Sequence, residues 1–387
     1  MNILWIPHAP WHVPQREKYL LKYLAKNHRV FATDWDTDFR SPRDYLTKRY
    51  VRNIAPRQYR DEDVTVYHIP RFSPALFFPT IQRYNEKIYG QWVERIVDKH
   101  QIDWVVGSFV LPYRNLGVPV TIDVGDDNVA YWQEGGGRQE YTEVIRANED
   151  SWLNNSQYVS AISSVLCERL EMRLVDHRKL MLVIPNGVDL GAYAPPEDKA
   201  AVKTLLGLNP RYRYIGCIGS FNRKGEVERL IRVAREIQNI SSAQLLIVGA
   251  GKYLPEMQRQ LKREHLPNVI FAGFQEGMRL LQYFQAIDVG LCPYPVTYGL
   301  HASSPLRLLQ YSAVGATVVI PNLKTVQRMA FENVVFSDES DEGFAKTARL
   351  ALDLPGRVPS TIRSYDWAAL AERWASPMEI AAARGYR

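Results

Sequence analysis

One short segment of the chain combines residue types that suit phosphate binding. Residues 303–315 read Ser-Ser-Pro-Leu-Arg-Leu-Leu-Gln-Tyr-Ser-Ala-Val-Gly. Serine before a proline at the first helical position, and glycine just past the end, predict a helix that begins near Ser303. Unpaired amides and the helix dipole favour anions at such a start, so we expect a diphosphate to bind there. A capped amphipathic helix without a ligand is the alternative.

The spacing of polar residues along this predicted helix indicates where a second part of the ligand would bind. Ser303, Arg307 and Gln310 share one face, so a diphosphate at the start can extend to a ribose beside Gln310. The predicted contacts in this segment are Ser303, Ser304, Leu306, Arg307 and Gln310.

Three strand-end loops are expected to complete the same site, because ligands of parallel α/β sheets bind at the carboxyl ends of strands. The first loop runs from Ser220 to Gly225 and contains Arg223 and Lys224, either of which can neutralise a departing diphosphate. The other two loops are strand-end turns in which simple turn chemistry is the alternative; they lie at Gly249 and at Gly273-Phe274.

Carboxylates and histidines follow strands of the first half of the chain. Asp123 ends a predicted strand, and Asp126 and Asp127 come directly after it. One of them is expected to orient an acceptor hydroxyl or to accept its proton, and helix capping is the alternative. His8 and His12, after the first strand, are further candidates for contact with an acceptor or a phosphate.

Composition and length set limits on the class of protein. The chain has 387 residues, 46% of them hydrophobic, which suits two α/β domains that each bury a core. Three widely spaced cysteines indicate buried thiols rather than a disulfide framework or a metal site. No basic leader and no run of about 20 apolar residues is present, so we expect a cytoplasmic protein, including one on the inner face of the membrane.

The net charge of +6 favours an anionic partner. Basic residues concentrate between positions 40 and 60, in a segment with the character of a loop or irregular helix. This segment is expected to be a solvated surface or a contact with a membrane surface. No nucleic-acid-binding module fits the order of the basic residues.

Alternation of apolar strands and helical runs predicts the fold. Strand-like runs recur along both halves with helices between them, which indicates parallel, doubly wound sheets. We expect an α/β protein with two Rossmann-like domains that face each other across a cleft. The predicted domains are residues 1–190 and 191–365, with residues 366–387 as a C-terminal helix on the first domain.

Five motifs in order across the second domain resemble glycosyltransferase family 4, a group of retaining enzymes with the GT-B fold. They are residues 184–189, 219–225, 246–249, 269–274 and 304–315. The resemblance implies a nucleotide-sugar donor, here a UDP- or GDP-sugar, bound by residues 191–365. It also implies a glycan, lipid-linked or small-molecule acceptor bound by residues 1–190, and hexosyl transfer without a metal or other cofactor. Lys224 matches the family lysine that contacts the donor diphosphate, and Ser220 stands where an arginine is frequent.

The sequence departs from the family pattern at three places. Ala302 and Gln310 occupy the positions of the paired family glutamates, and the usual His-Asp pair of the first domain is missing. Asp123 with Asp126 and Asp127 resembles an Asp-x-x-Asp-Asp variant of the family, which implies a role for Asp126 near the transferred sugar. The missing glutamates motivate one alternative, a non-catalytic nucleotide-sugar-binding or scaffold protein. A sugar-nucleotide epimerase, which also has paired Rossmann domains, is a second alternative, and the Lys-Gly loop and the Ser-Pro-Leu-Arg helix argue against it.

Overall fold

The computed structural model describes most of the chain as two compact units, and the described residues are 1–11, 16–35, 48–73 and 78–383. Unit 1 comprises the described residues of Met1–Pro185 and Trp367–Arg387, and unit 2 comprises Asn186–Asp366. The sequence places the first boundary slightly later, after residue 190. Asn186 belongs to unit 2 because it bonds to Ser304 there.

Unit 1 is built on an eight-stranded sheet, with strands β1 (Asn2–Trp5), β2 (Arg29–Asp34), β3 (Arg57–Asp61), β4 (Val64–His68), β5 (Trp104–Gly107), β6 (Val120–Val124), β7 (Tyr158–Ala161) and β8 (Leu180–Val183). Their order is β3-β4-β2-β1-β5-β6-β7-β8. All neighbours pair in parallel except β3 and β4. The central strands are buried along their length, as expected for a sheet covered on both faces.

The edge of this sheet corrects one prediction. The structure forms helix α2 (Lys48–Ile54) and strand β3 where the sequence indicates a loop or irregular helix. Arg57 and Arg60 therefore lie on an edge strand, which sequence reading missed because the strand is polar and largely exposed. Arg40 and Arg43 lie outside the described residues, as does His12.

The remaining helices of unit 1 are α1 (Arg16–Leu24), α3 (Pro79–His100), α4 (Asn128–Glu134), α5 (Gln139–Asn155), α6 (Ser164–Glu171) and α14 (Trp367–Ala383). The last of these returns to the core of unit 1. Trp374 packs on Trp5 with ring centroids 4.9 Å apart, and its indole N–H donates to Ser160 Oγ at 2.9 Å. Trp367 stacks on Tyr19 at 5.2 Å.

Unit 2 is a six-stranded, wholly parallel sheet with strands β9 (Arg213–Ser220), β10 (Ala243–Ala250), β11 (Val269–Gly273), β12 (Val289–Leu291), β13 (Thr317–Pro321) and β14 (Val334–Ser337). Their order is β11-β10-β9-β12-β13-β14. The helices are α7 (Lys199–Leu205), α8 (Lys224–Glu236), α9 (Leu254–Arg263), α10 (Gly277–Ala286), α11 (Leu306–Ala313), α12 (Lys324–Met329) and α13 (Asp341–Leu350).

The predicted class, two α/β domains on parallel sheets, is confirmed. The predicted strands of both units are present, and sequence reading missed β14, a short strand at the edge of the second sheet. Within the described part of the chain, no helix has both the length and the apolar character required to cross a bilayer.

Candidate functional site

Two exposed cations stand at the carboxyl end of β9 in unit 2. Ser220 ends the strand and is exposed, and α8 begins after Arg223, which provides no side-chain cap. The side chains of Arg223 and Lys224 are 54% and 61% exposed. Lys224 lies 3.5 Å from Glu228, an exposed pair of the kind that contributes little to stability. Both cations therefore remain able to contact an anion in solvent.

A third cation, Arg307, comes from α11 and is held beside the same strand end. Its side chain is 17% exposed, and it lies 3.9 Å from Glu226 Oε2 and 3.7 Å from Cys217 Sγ. The guanidinium also stacks over the Tyr294 ring, 5.1 Å from the centroid. Since both polar contacts are long, much of its donor capacity remains for a ligand.

Glu226 balances part of this positive charge. It lies in the first turn of α8, 5% exposed, between Arg307 and Arg223, whose Nη1 is 3.5 Å away. Burial raises the pKa of Glu226, and the nearby arginines oppose that shift. Sequence reading missed this residue, since a glutamate in a first turn reads as an ordinary partner of the helix dipole.

Glycines bring the neighbouring strand ends unusually close together. A Cβ on Gly249 would lie 1.9 Å from the carbonyl oxygen of Gly219, and one on Gly219 would lie 2.9 Å from Cζ of Arg307. Gly249 also has a φ of 134°, which other residues rarely adopt. The structure thus places Gly249 against Gly219, which in turn lies beside Arg307, and only glycine fits at position 249.

The start of α11 differs from its prediction. Pro305 is the N-cap residue rather than the first helical residue, and the helix begins at Leu306. A single 3₁₀ turn over Leu300–Ala302 precedes it, with Ser303 in extended conformation after the turn. The N-cap residue Pro305 offers no side-chain cap to α11. Its first-turn amides therefore have no cap and no partner within the helix, which suits an anion.

Ser304 has a structural contact that the sequence did not reveal. It is buried, and its hydroxyl accepts from the backbone N–H of Asn186 at 3.1 Å while its carbonyl accepts from Asn186 Nδ2 at 2.7 Å. The Asn186 side chain thereby fixes the segment that leads into α11. Asn186 was visible only as part of a Pro-Asn-Gly turn, and its partner lies 118 residues away.

Tyr311 anchors α11 to the sheet. Its hydroxyl accepts from the backbone N–H of Ile218 at 2.9 Å and donates to the carbonyl of Gly216 at 3.2 Å. The ring lies against Gly290, where a Cβ would be 2.3 Å from the ring. This contact sets the position of α11 beside β9 and so directs Arg307 toward the strand end.

The remaining predicted donor contacts of unit 2 lie at its strand ends or on α11. Gln310 donates from Nε2 to the hydroxyl of Tyr193 at 3.1 Å. Gly273 ends β11 with a φ of 69°, and Phe274 after it is 70% exposed. A phenyl ring this exposed beside a strand end can stack on a ligand ring.

In unit 1, Asp126 lies in a cluster of charged residues at the carboxyl end of β6. Burial raises the pKa of Asp126 to about 6, against the lowering effect of His8 and Arg16. His8 forms an ion pair with Glu17. Burial opposes protonation of His8, but the Glu17 carboxylate outweighs it and raises the pKa of His8 to about 9. Asp126 is thus a carboxylate poised near neutral pH beside a protonated imidazole.

Asp127 is engaged in structure. Its side chain caps α4 by accepting from the backbone N–H of Ala130 at 3.1 Å, and its other oxygen accepts from Arg169 at 2.6 Å. Both partners hold the carboxylate in place, which is the capping alternative considered for this segment.

A buried ion pair supports the cluster and was missed from the sequence. Arg16 donates to both oxygens of Asp123, at 2.7 and 2.8 Å, and Ser160 contacts the same carboxylate. Arg16 and Asp123 are 107 residues apart, so no local pattern could indicate their pairing. Asp123 is thereby a structural anchor, and Asp126 is the carboxylate of this segment for which no such pairing is found among the described residues.

Comparison with known proteins places these features in context. Residues 212–353 match the family described as glycosyl transferases group 1. A segment of 113 residues, 28% of the chain, is 33% identical to a Corynebacterium glutamicum protein named GDP-mannose-dependent monoacylated alpha-(1-6)-phosphatidylinositol monomannoside mannosyltransferase. The matched segments cover only 29% of that protein and 45% of a second curated relative, from Bacillus subtilis.

Two solved structures resemble the whole chain. Sucrose-phosphate synthase from Thermosynechococcus elongatus has a TM-score of 0.73 at 16% identity, with 99% of each chain covered. Anabaena HepE in complex with UDP and glucose has a TM-score of 0.60 at 14% identity, with 100% of each chain covered. At this level of identity the likeness establishes the fold, which is GT-B as predicted.

Proposed function

We propose that this chain, which belongs to the glycosyl transferases group 1 family through residues 212–353, is a retaining glycosyltransferase. Unit 2 binds a nucleotide-diphosphate sugar, and unit 1 binds a glycan, lipid-linked or small-molecule acceptor. The observation that carries the donor assignment is Arg307, held by α11 beside Gly219 with only long polar contacts in the described part of the chain. Retention at the anomeric carbon follows from the family resemblance.

The chemistry of the donor site is electrostatic. Negative charge builds on the diphosphate as the sugar leaves, and cations held in place before the reaction stabilise that charge. Arg223, Lys224 and Arg307 provide them, and the uncapped first turn of α11 adds amide donors. With this charge the site needs no metal. Gln310 holds the ribose, and Phe274 lies beside the base.

Asp126 is the proposed acceptor-side residue. Its pKa of about 6 lies near the pH of the cytoplasm, which favours proton transfer in either direction. It orients the acceptor hydroxyl or accepts its proton. We place the reaction in the cytoplasm, including the inner face of the membrane, where the basic residues between 40 and 60 would contact anionic lipid.

The donor can be sought among few nucleotides. The corynebacterial relative is named for GDP-mannose, and HepE is described with UDP. Thermal shift with UDP, GDP, ADP and TDP should reveal binding, since a ligand of the native state raises apparent stability by mass action. Failure of all four would remove the donor-site assignment.

Catalysis is tested by release of the nucleotide diphosphate from UDP- and GDP-sugars. Lys224→Ala should lower the rate about tenfold, because one of three cations is lost. Arg235→Ala is the matched control, at the opposite end of α8, where the arginine pairs with Glu264 at 2.6 Å. Tight nucleotide binding without any release would instead support a non-catalytic binding protein.

A further inference from the structure

Unit 1 contains a cavity that the proposed donor chemistry does not use. Its volume is about 550 Å³, within the range of pockets that enclose small organic ligands. Half of the residues that line it are aliphatic or aromatic, among them Trp35, Trp132 and Val144. Such a lining indicates a ligand with a substantial apolar part.

Two apolar side chains of the lining are unusually exposed to water. Trp132 on α4 is 39% exposed, and Val144 on α5 is 47% exposed. Trp132 stacks on Tyr141 with centroids 6.3 Å apart and planes 13° apart, so the ring has a fixed orientation. Trp35 is 5% exposed and packs edge-on to Tyr89 at 5.9 Å. Covering these surfaces with an apolar ligand would remove them from water.

The cavity is continuous with the charged cluster around Asp126. His8 lines it, and the His8 ring lies beside the Asp126 segment, since a Cβ on Gly125 would be 3.6 Å from His8 Cε1. The His8 side of the cavity is therefore polar and adjoins the proposed acceptor-side carboxylate, and the aliphatic and aromatic residues make up half of the lining.

The charged residues of the lining do not favour a ligand with a large net charge. The lining includes Arg71 and Arg83 but also Glu86 and Glu140. Two of its amides already have partners: Asn148 donates to the Phe109 carbonyl at 3.1 Å, and Gln82 donates to Glu86 at 2.9 Å. With both signs of charge present, the apolar surface is the feature that discriminates between ligands.

We infer that this cavity binds an apolar group of the acceptor, an alkyl chain or aryl ring joined to its hydroxyl-bearing end, and so makes the enzyme specific for amphipathic acceptors. This inference rests on the proposed function, because it assigns the cavity to the acceptor. The hydroxyl-bearing end lies at His8 and Asp126, and the apolar group lies against Trp132 and Val144.

Binding is measured first, by calorimetry with methyl, hexyl and phenyl glucoside as probes, which requires no donor. The hexyl or the phenyl compound should bind at least tenfold more tightly than the methyl compound, with a negative heat-capacity change from apolar burial. Val144→Asp and Trp132→Ala should remove that preference. Val175→Asp, at a valine of unit 1 that is 85% exposed, should keep it. Equal binding of all three glucosides would overturn the inference.

Transfer is measured second, with the same glucosides as acceptors. Val144→Asp should lower kcat/KM for the preferred apolar acceptor at least tenfold and lower kcat/KM for the methyl acceptor much less. Equal losses for the methyl and apolar acceptors would overturn the inference, because a general defect would explain them. Selective binding of the apolar glucosides with no transfer or hydrolysis in the unaltered protein would count against the proposed function while supporting the apolar preference of the cavity.

Discussion

The carboxyl ends of the two sheets handle charge in opposite ways. In unit 2, Arg223 and Lys224 are exposed, and Arg307 has only long polar contacts, with Glu226 as the nearby carboxylate. In unit 1, Arg16 pairs with Asp123 and His8 pairs with Glu17, beside a cavity whose lining is half apolar and carries both signs of charge. An excess of positive charge suits an anionic ligand, whereas matched charge suits a neutral one. The two units therefore differ in the charge of the ligand that their strand ends suit.

Replacement of Arg307, the least exposed of the three cations of unit 2, should have the largest effect on activity. Arg307→Ala should lower kcat/KM for the nucleotide sugar about 10²- to 10³-fold, since a positioned charge donor is lost. The kcat/KM of Arg307→Lys should lie between those of the unaltered protein and Arg307→Ala, because lysine keeps the charge but lacks the planar guanidinium. Steady-state kinetics on the purified variants provide the measurement. A loss in Arg307→Ala no larger than in Arg235→Ala would show that the excess charge of unit 2 does not serve catalysis.

Asp126 is the residue of unit 1 whose replacement should lower transfer most. Asp126→Asn should lower transfer about 10²-fold, because the amide cannot accept a proton. In the unaltered protein, kcat/KM should fall about tenfold per pH unit below about 6, where the carboxylate with its raised pKa becomes protonated. A pH–rate profile measures both, and the Asn variant should lose this acid limb. An unchanged limb in the variant would assign it to another group.

The same carboxylate predicts a stability change with a definite sign. A folded-state pKa above the usual 3.8 contributes stability at low pH that is lost as pH rises through about 6. At pH 8 the ionised Asp126 is therefore a destabilising charge. Asp126→Asn should increase the free energy of unfolding there by ~1 kcal/mol and change it little at pH 4. Urea denaturation at the two pH values compares them.

Gly249 tests how closely the strand ends of unit 2 must approach. Gly249→Ala should destabilise the protein by about 2 to 3 kcal/mol, because the added Cβ meets the Gly219 carbonyl and the backbone has a positive φ. Gly225→Ala is the matched control, in the first turn of α8 with no atom within 4 Å of the added Cβ, and should be neutral or slightly stabilising. Equal thermal shifts in the two variants would refute the close-approach argument.

Asp127 should contribute to stability and have the smallest effect on activity. Asp127→Ala should cost about 1 to 2 kcal/mol of stability through loss of the α4 cap and of the partner of Arg169, and should leave kcat/KM within about twofold. Asp198→Ala, at the N-cap of α7, should cost less stability than Asp127→Ala. Among the described residues, the Asp198 side chain accepts one hydrogen bond, from the backbone N–H of Ala201 at 3.0 Å. A large loss of activity in Asp127→Ala would assign it a role beside Asp126.

The sequence by itself determined the strand and helix alternation, the parallel sheets and the order of motifs in unit 2. Buried parallel strands are short apolar runs bounded by turns, so each can be identified locally. The basic loop after β9 and the glycines at the strand ends were visible for the same reason. The polar edge strand β3 was not, because an edge strand lacks the apolar alternation by which strands are recognised.

Only the tertiary structure decided which contacts the candidate residues make. Asp126 and Asp127 are adjacent and chemically alike in sequence, yet Asp127 is held by Ala130 and Arg169 while Asp126 is a half-buried carboxylate with a raised pKa. The position of α11 likewise depends on Asn186, which contacts Ser304 across 118 residues. A side chain's charge state and free donors are set by neighbours that are distant in sequence, and local patterns carry no information about them.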